Sequence, residues 1–416
     1  MKVLAVINSI LPSIAEHLSF EKNPYGGWIV SFVDGLRRHG DIELTVAFPV
    51  SAIESVITGS LDGFVYYGFP KAKSDTLSYS SAIEKYLESI IDDVKPDLIH
   101  VFGTEYPHSL AIVNASEGKG LLGRTLIGIQ GLVSVYAKHY MSGVPMSVLM
   151  KRDYNMFVRR GIFEIQALDK AVHVTGRTDW DLACTSQLSQ KARYHFCNES
   201  LRDAFYSNSW KLGSCDRFSI FMSQASYPIK GLQYMLEAMP EIIRRFPEAH
   251  LYIAGHDLIS SVSFKSRLKI GSYENYIRKQ ISKNGLLHHI TFTGALDEQT
   301  MCERYLKSHV FVSASTIENS PNSVGEAMIL GVPTITSDVG GVKSMMTHEV
   351  DGLIYQHDAP YMLAHYICKI FGDDNLACTY SENARARASI THDRAENLET
   401  MISIYREICD DTDFLL

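Results

Sequence analysis

The sequence predicts an α/β protein of two doubly wound, Rossmann-like domains that face each other across a cleft. Apolar segments of strand length alternate with helical patterns through most of the chain, an order typical of parallel sheets covered by helices. The series runs twice, on either side of a polar stretch at Ser207–Asp216 that resembles a linker. A length of 416 residues also exceeds what one ordinary core holds, so we expect domains at 1–206 and 207–393.

In the first domain, short apolar runs predict the strands and longer amphipathic patterns predict the helices. The strands are expected at Val3–Ile7, Glu43–Ala47, Phe64–Tyr67, Leu98–Phe102, Thr125–Ile129 and Ala171–Val174. The helices are expected at Trp28–His39, Ser80–Asp93 and Met146–Ala167.

The second domain repeats this order of elements without repeating the sequence. Its strands are expected at Phe218–Met222, Leu251–Ala254, Ile290–Thr293, Val310–Ser313 and Thr334–Thr336. Its helices are expected at Gly231–Phe246, Tyr273–Asn284 and Glu298–Lys307, and a last helix at about Arg394–Cys409.

The composition is that of an ordinary globular protein, and it excludes several classes of function. A net charge of −8 without any basic tail argues against a nucleic-acid partner. No apolar run approaches the roughly 20 residues of a membrane helix, and the apolar start MKVLAVI is too short for a signal peptide. Seven scattered cysteines without zinc-site spacing indicate reduced thiols, so we expect a cytoplasmic protein without a metal site.

The most informative segment is Glu318–Pro333, with the sequence ENSPNSVGEAMILGVP, directly after a predicted strand. Ser320 is a suitable N-cap and Pro321 a suitable first helical residue, so a helix is expected to begin there. Glu318 then lies in the loop above the strand, and Glu326 lies about two turns down the helix.

Between these two carboxylates lie the N–H groups of a helix N-terminus, which form a site for anions. On spacing alone, Glu318 and Glu326 are equally well explained as solvated carboxylates near a positive helix end. A ligand with hydroxyl groups at both ends and phosphate in the middle also fits the arrangement. A nucleotide-diphospho-sugar is such a ligand.

The surrounding sequence resembles the retaining glycosyltransferases of family 4, also called group 1. The two glutamates eight residues apart carry the resemblance, together with EAM, the turn before Pro333, the pair Gly340 and Gly341, and EVDGLI. The specific part covers roughly Phe218–Leu353, while YGGW, GTE and RTDWD resemble a bacterial surface-polysaccharide branch. The resemblance implies the GT-B fold, with the C-terminal helix of about 394–416 packing back on the first domain.

The resemblance also implies roles for the residues of a donor site. Glu318 is expected to bind hydroxyls of the donor sugar, Glu326 the ribose hydroxyls, and Lys230 the phosphates of the departing nucleotide. Catalysis is expected to rest on Glu318 and Lys230, with no metal and no cofactor besides the nucleotide-sugar substrate. The diphosphate is expected to be held at the helix start by Asn319, Ser320, Asn322, Ser323 and Val324.

Two positions depart from the pattern of similar enzymes. Gln224 stands where many members carry an arginine, so it offers the phosphates a hydrogen bond but no charge. Gln130 stands where many members carry a histidine near the donor sugar, so we expect a hydrogen bond to the sugar and no proton transfer from this residue.

The first domain contributes weaker candidates, which lie at predicted strand ends. Gly26 and Gly27 permit close approach of the backbone to the donor, although a plain turn before a helix explains them equally well. Glu105, His108 and Arg177 are candidates for contact with the acceptor, and the alternative is that they are ordinary loop and helix-cap residues.

The segment 136–160 combines basic and apolar side chains and allows two interpretations. One is a surface that docks on an anionic membrane. The other, which we favour, is a core-packed helix whose arginines extend their charged ends to solvent.

Together these features predict a retaining hexosyltransferase that moves a sugar from a UDP- or GDP-sugar to a saccharide or lipid-linked acceptor. Surface polysaccharide synthesis, with peripheral contact at the inner face of the membrane, is the expected setting. Two alternatives stay open: a nucleotide-sugar epimerase of the GT-B fold, and a non-catalytic partner that binds a nucleotide-sugar or a glycan.

Overall fold

A computed structural model describes residues 1–20, 27–51, 53–71, 79–145, 148, 151–259 and 272–411. The chain divides into two compact units. Unit 1 consists of Met1–Ala137, Asn155–Ser200 and Arg394–Leu416, and unit 2 consists of Lys138–Tyr154 and Leu201–Asp393.

A sheet of eight described strands forms the centre of unit 1, in the order β3-β4-β2-β1-β5-β6-β7-β8. All neighbouring strands pair in parallel except β3, which is antiparallel to β4. The strands are β1 Lys2–Val6, β2 Glu43–Val50, β3 Ile57–Leu61, β4 Phe64–Pro70, β5 Leu98–Phe102, β6 Thr125–Gly128, β7 His173–Gly176 and β8 Arg193–Phe196.

Unit 2 is built on a sheet of six described strands, all parallel, in the order β11-β10-β9-β12-β13-β14. Its strands are β9 Asp216–Met222, β10 His250–Ala254, β11 Ile290–Gly294, β12 Ser308–Ser313, β13 Thr334–Ser337 and β14 Leu353–Tyr355.

Helices connect the strands of both units, as parallel pairing requires. In chain order they are α1 Pro12–His17, α2 Gly27–Arg38, α3 Ser81–Val94, α4 Pro107–Gly118, α5 Val133–His139, α6 Lys151–Lys170, α7 Asp179–Leu188, α8 Asp203–Tyr206, α9 Leu232–Arg245, α10 Tyr273–Lys283, α11 Glu298–Leu306, α12 Asn322–Leu330, α13 Val342–Met345, α14 Pro360–Gly372, α15 Asp374–Thr391 and α16 Arg394–Asp410. None of the described helices is long and apolar enough to cross a membrane.

Helices cover both faces of the unit 1 sheet, so this unit is doubly wound. Side chains alternate along β1, so Val3 and Ala5 pack against α2 and α16 on one face. Leu4 and Val6 pack against α3 and α4 on the other face. The last helix, α16, joins this core through five buried residues, Met401, Ile402, Ile404, Tyr405 and Ile408.

Three short strands, β3, β8 and β14, were not predicted from the sequence. Each is the outermost strand of its sheet. The strands β3 and β8 bury little apolar surface, whereas β14 is buried but only three residues long. In β3, for example, buried positions are absent, and the strand contains Gly59 and Ser60, which give no apolar signal. The strand β8 has one fully buried side chain, that of His195.

The division between the units lies at Ser200–Leu201, not at 206–207 as the sequence suggested. The polar stretch Ser207–Asp216 is not a free linker, because Trp210 within it is 6% exposed and belongs to the core of unit 2. The indole N–H of Trp210 donates to the carbonyl oxygen of Ser308 at 2.8 Å. Because the residues around Trp210 are polar, the sequence did not indicate that this segment packs into the core.

The helix predicted at Met146–Ala167 is observed at Lys151–Lys170. Residues 146–147 and 149–150 lie outside the described residues, and Val148 between them is buried in the core of unit 2. Within α6, Arg160 is only 9% exposed, and its guanidinium lies 4.3 Å from the ring centroid of Tyr106. These contacts favour the core-packed interpretation for this part of the segment.

Candidate functional site

The carboxyl ends of β9 and β12 in unit 2 bring Lys230 and Glu318 together. Lys230 ends a 3₁₀ turn at Pro228–Lys230, and Glu318 lies in the loop between β12 and α12. The ammonium of Lys230 donates to Oε1 of Glu318 at 2.6 Å, and the hydroxyl of Ser315 donates to the same oxygen at 2.7 Å. Both side chains are mostly buried, with 20% of Lys230 and 8% of Glu318 exposed.

The two loops that carry this ion pair are also joined through the backbone. The N–H of Thr316 donates to the carbonyl oxygen of Ile229 at 2.7 Å. Gly231, directly after the lysine, has a φ of +72°, and a Cβ there would lie 1.7 Å from the carbonyl oxygen of Ala314. Only glycine fits this approach. The loops therefore hold Lys230 and Glu318 at a fixed separation.

The pair Gly340 and Gly341 packs against the backbone of Glu318. Gly340 has a φ of +50°, and a Cβ there would lie 1.8 Å from the carbonyl oxygen of Glu318. The N–H of Gly341 donates to that same oxygen at 3.1 Å. In the sequence, these glycines stood out only as part of the resemblance. In the structure, their close contact is with the residue that carries the site carboxylate.

The charge of Lys230 is set by two opposing effects. Burial lowers the pKa of its ammonium, but the neighbouring Glu318 carboxylate and Tyr227 raise it by more, so the net shift is upward. The lysine therefore remains protonated throughout the physiological range, and the site keeps one fixed positive charge beside the helix α12.

The start of α12 differs from the prediction. The N-cap is Pro321, with φ −70° and ψ 116°, and no side chain caps the helix. The prediction of Ser320 as the cap is wrong, because Pro321 keeps an extended ψ and the helix begins one residue later, at Asn322. The hydroxyl of Ser320 instead lies 3.4 Å from the sulfur of Met345.

The predicted phosphate-binding residues separate into two groups. Asn322 and Ser323 head the helix, where backbone N–H groups lack an acceptor within the helix. The side chain of Val324 is 0% exposed and its N–H donates to the carbonyl oxygen of Pro321 at 2.9 Å, so its contact with a phosphate stays a prediction. Asn319 is also buried, at 1% exposure. The N–H groups of Asn322 and Ser323 are thus the ones at the start of α12 that lack an acceptor within the helix.

Glu326, the second carboxylate of the pattern, is paired with an arginine that the sequence analysis did not single out. Arg202 donates from Nε to Oε1 at 2.7 Å and from a terminal nitrogen to Oε2 at 2.9 Å. The side chain of Glu326 is 7% exposed. Burial raises its pKa and Arg202 lowers it, with a net upward shift. The partners are 124 residues apart in the chain, so no sequence pattern joins them.

Gln224 lies half-buried in the loop that follows β9 and leads to Lys230. The structure therefore places it on the same connection as the lysine. Among the described residues, no cluster of three or more histidine, cysteine, aspartate or glutamate side chains is placed to hold a metal ion.

In unit 1, the ends of β6, β7 and the segment after β8 bring together Gln130, Arg177 and Glu199. Arg177 forms an ion pair with Glu199, and the side-chain amide of Gln130 donates to Oε1 of Glu199 at 2.7 Å. Arg177 is 5% exposed, and burial lowers the pKa of its guanidinium. Glu199 was missed because nothing in the sequence near it resembles a motif. The predicted residues Gln130 and Arg177 thus both bind the carboxylate of Glu199.

The RTDWD segment forms a helix cap next to this cluster. The hydroxyl of Thr178 accepts from the N–H of Asp181 at 3.0 Å, and the Asp181 carboxylate accepts from the N–H of Thr178 at 3.3 Å. This reciprocal pair is a capping box at the start of α7. Thr178 is therefore the N-cap of α7, an ordinary helix-cap role.

Glu105 and His108 lie close together after β5, joined by Asn8. The Asn8 amide donates to Glu105 at 3.0 Å, and its oxygen lies 2.9 Å from Nε2 of His108. Burial lowers the pKa of His108 to about 3, helped by Lys71 and Arg160. His108 lines a cleft of about 370 Å³ at the carboxyl ends of β1, β2, β4 and β5. Burial also raises the pKa of Glu105.

A fully buried carboxylate in unit 1, that of Glu164, was not singled out from the sequence. It accepts from the hydroxyl of Thr104 at 2.7 Å and from the N–H groups of Val133 and Ser134 at 3.0 and 2.8 Å. It thereby caps the start of α5. Burial raises its pKa to about 7, although these donors oppose the shift. Its role is structural, because it holds one helix against another.

The glycine pair proposed near the first strand is only partly described. Gly27 is the first residue of α2, while Gly26 lies outside the described residues. The segment before Gly27 that would form the turn also lies outside the described residues, so both interpretations of the pair stay predictions.

Comparisons with known proteins identify the domain that carries the Lys230–Glu318 pair. Residues 205–387 match the family model of the glycosyl transferases group 1. The glycosyltransferase MJ1607 of Methanocaldococcus jannaschii is 27% identical over 158 residues, 38% of this chain and 36% of that protein, so the match spans about a third of the relative. The YtcC protein of Bacillus subtilis is 23% identical over 392 residues, 92% of this chain and 88% of that protein.

The solved structures establish the fold. A sucrose-phosphate synthase from Thermosynechococcus elongatus superimposes with a TM-score of 0.71 at 16% identity, covering 98% of both chains. The predicted fold class, two α/β domains with parallel sheets in the GT-B fold, is confirmed.

Proposed function

We propose, from the glycosyltransferase group 1 domain in unit 2, that the chain is a retaining glycosyltransferase of family 4. It moves a hexose from a nucleotide-diphospho-sugar, with UDP or GDP as the nucleotide, to a saccharide or lipid-linked acceptor in surface polysaccharide synthesis. The reaction needs no metal and no cofactor. Its location is the cytoplasm, at the inner face of the membrane; seven free cysteines support the reducing compartment.

The observation that carries this proposal is the Lys230–Glu318 pair beside the start of α12. A nucleotide-sugar presents sugar hydroxyls next to a diphosphate, and this site presents a carboxylate next to a cation and free helix N–H groups. A carboxylate accepts from hydroxyls, whereas a cation and a helix N-terminus favour phosphate. Each part of the donor therefore meets the chemistry that binds it.

The same residues account for the transfer step. The bond between the anomeric carbon and the diphosphate oxygen breaks, and that oxygen keeps the electron pair. Lys230 and the N–H groups of Asn322 and Ser323 stabilise the charge that develops there. The acceptor oxygen bonds to the same face of the anomeric carbon, and its proton passes to the departing phosphate. Glu318 positions the sugar, and no side chain acts as a nucleophile.

The acceptor belongs to unit 1 in this proposal. The cleft lined by His108, Asn8 and Lys71 combines polar side chains with the ring of Tyr106, a mixture that suits a saccharide. His108 stays neutral above a pKa of about 3, and since its Nε2–H donates to Oδ1 of Asn8, its Nδ1 is an acceptor at neutral pH. Gln130 and Arg177 both bind Glu199, so a sugar that contacts them competes with this carboxylate for their donor groups.

The test is the release of nucleoside diphosphate from a panel of UDP-, GDP- and ADP-sugars, with and without added saccharides. Wild type is compared with Glu318→Ala and with Glu349→Ala, a control that removes an exposed carboxylate of the same unit. We expect one donor to be consumed, and Glu318→Ala to lower turnover roughly 10²- to 10³-fold, while Glu349→Ala leaves it unchanged.

Two outcomes would contradict the proposal. Equal turnover by wild type and Glu318→Ala would remove Glu318 from the reaction. Tight nucleotide-sugar binding by wild type, without release or transfer to any acceptor of the panel, would favour the non-catalytic binding protein.

A further inference from the structure

Arg202 grips both oxygens of the Glu326 carboxylate. Its two donors lie 2.7 and 2.9 Å from Oε1 and Oε2, so the contact is a bidentate fork. Such a pair uses about one of the two lone pairs on each oxygen, since a carboxylate offers roughly four acceptor sites. The remaining sites stay suitable for hydroxyl groups of a ligand, and the orientation of the carboxylate is fixed.

Arg202 is itself held by an aromatic ring. Its guanidinium lies 4.7 Å from the ring centroid of Phe205, which is 0% exposed. Phe205 meets Tyr305 edge to face at 5.7 Å, and the hydroxyl of Tyr305 donates to the carbonyl oxygen of Ser323 in the first turn of α12. The arginine is therefore anchored to the same helix whose carboxylate it holds, and neither partner can rotate freely.

We infer that Arg202 is a positioning residue that orients the Glu326 carboxylate toward the ribose hydroxyls of the nucleotide. It thereby sets how strongly the site prefers ribose to deoxyribose. This inference rests on the proposed function, because it takes Glu326 as the group that meets the ribose. A planar, always charged fork suits this task, whereas a lysine would contact the carboxylate at one point only.

Arg202 also keeps the carboxylate charged at a buried position. The ionisable groups around Glu326 come from three parts of unit 2. Of the charged groups that shift the pKa of Glu326, Arg202 is the cation. Glu298 on α11 opposes the charge of Glu326, and two further groups of that helix interact with it electrostatically. These surroundings are Arg202, Glu298, Cys302, Tyr305 and His392, the last packed against Gly325. Without the arginine, burial would favour the protonated carboxyl, which accepts from a diol poorly.

The experiment measures binding of UDP, GDP and ADP and of their 2′-deoxy counterparts by calorimetry at pH 6 and pH 8. Wild type is compared with Arg202→Met, Arg202→Lys and Glu326→Gln. Arg217→Met serves as the matched control, because Arg217 forms an exposed pair with Asp374 at 2.7 Å in the same unit. Thermal unfolding identifies any variant that does not fold.

For wild type we expect one nucleotide to bind, with at least about a tenfold loss for its deoxy form at both pH values, since a charge-assisted hydrogen bond disappears. In Arg202→Met the loss should shrink to less than about threefold at pH 6, as in Glu326→Gln. It should recover in part at pH 8, where more of the carboxyl is ionised. Arg202→Lys should lie between wild type and Arg202→Met, and Arg217→Met should match wild type.

A full deoxy penalty in Arg202→Met at both pH values would overturn the inference, even if overall affinity fell. If Arg202→Met does not fold, a full deoxy penalty in Arg202→Lys at both pH values would overturn the inference. Failure of the proposed function looks different: wild type would then bind none of the nucleotides.

Discussion

Each unit places a carboxylate and a cation at the carboxyl ends of its parallel strands, but the surroundings of the two pairs differ. In unit 2, the Lys230–Glu318 pair lies beside the uncapped start of α12, whose first N–H groups lack acceptors within the helix. In unit 1, Glu199 is bound by Arg177 and also by the amide of Gln130. The first arrangement leaves helix N–H donors for an anionic ligand, whereas in the second the carboxylate is bound by two side chains of its own unit.

This difference shows that position in a doubly wound fold does not determine chemistry. The rule that ligands bind at strand carboxyl ends applies to both sheets. What separates the units is the helix start that follows the strand and the glycines that press two loops together. The proposed function therefore places the nucleotide in unit 2 and the acceptor in unit 1.

The largest expected effect comes from a change in the backbone of the unit 2 site. Gly340→Ala forces a residue with a φ of +50° into the carbonyl oxygen of Glu318, 1.8 Å from the added Cβ. Strain and overpacking together should cost about 3 kcal/mol of unfolding free energy. The displaced Glu318 should lower turnover about 10²-fold or more. Denaturant unfolding and the nucleotide-release assay measure the two effects.

Gly294→Ala is the matched control for this change. Gly294 also has a positive φ, +76°, but no described atom lies within 4 Å of an added Cβ. It should cost only about 1 kcal/mol from the left-handed backbone and should leave turnover intact. If both alanine variants behaved alike, the contact between Gly340 and Glu318 would have no special importance.

A smaller effect is expected in the pH dependence of stability, through the buried carboxyl group of Glu164 in unit 1. The pKa of Glu164 is raised to about 7 by burial, so the folded state binds a proton that the unfolded state, with a pKa near 4.5, releases. Its contribution to stability is therefore present at low pH and is lost as pH rises from about 4.5 to 7. The loss amounts to about 3 kcal/mol. Glu164→Gln cannot titrate and should lack this component.

The measurement compares unfolding of wild type and Glu164→Gln at pH 5 and pH 7.5, so that all other titrating groups cancel. Glu54→Gln, an exposed change in the same unit, should show the wild-type pH dependence. A constant stability difference between wild type and Glu164→Gln at both pH values would mean that the ionised carboxylate is already favoured by its donors.

How much the sequence predicted depends on the distance between the residues concerned. The central strands and the loops with Lys230 and Glu318 were predictable, because apolar periodicity and a contiguous motif are local signals. Arg202 was not, since it meets Glu326 across 124 residues and only folding brings the two together. Glu199 and Glu164 were missed for the same reason, because their partners come from separate elements.

The prediction of Ser320 as the N-cap of α12 failed because of the local backbone geometry. Ser320 before Pro321 is a favourable capping sequence, yet the cap is decided by the ψ angle of Pro321, which is 116° and keeps that residue outside the helix. Proline is compatible with both positions, so composition alone could not decide between them.

The most direct test of the account is calorimetry of UDP, GDP and ADP binding to wild type, Lys230→Met and Arg177→Met. Both variants remove a buried cation that is paired with a carboxylate, one in each unit. We expect Lys230→Met to weaken binding of the preferred nucleotide about 30-fold, and Arg177→Met to change it less than about twofold. Equal affinity in Lys230→Met and wild type, or a large loss in Arg177→Met alone, would contradict the assignment of the nucleotide to unit 2.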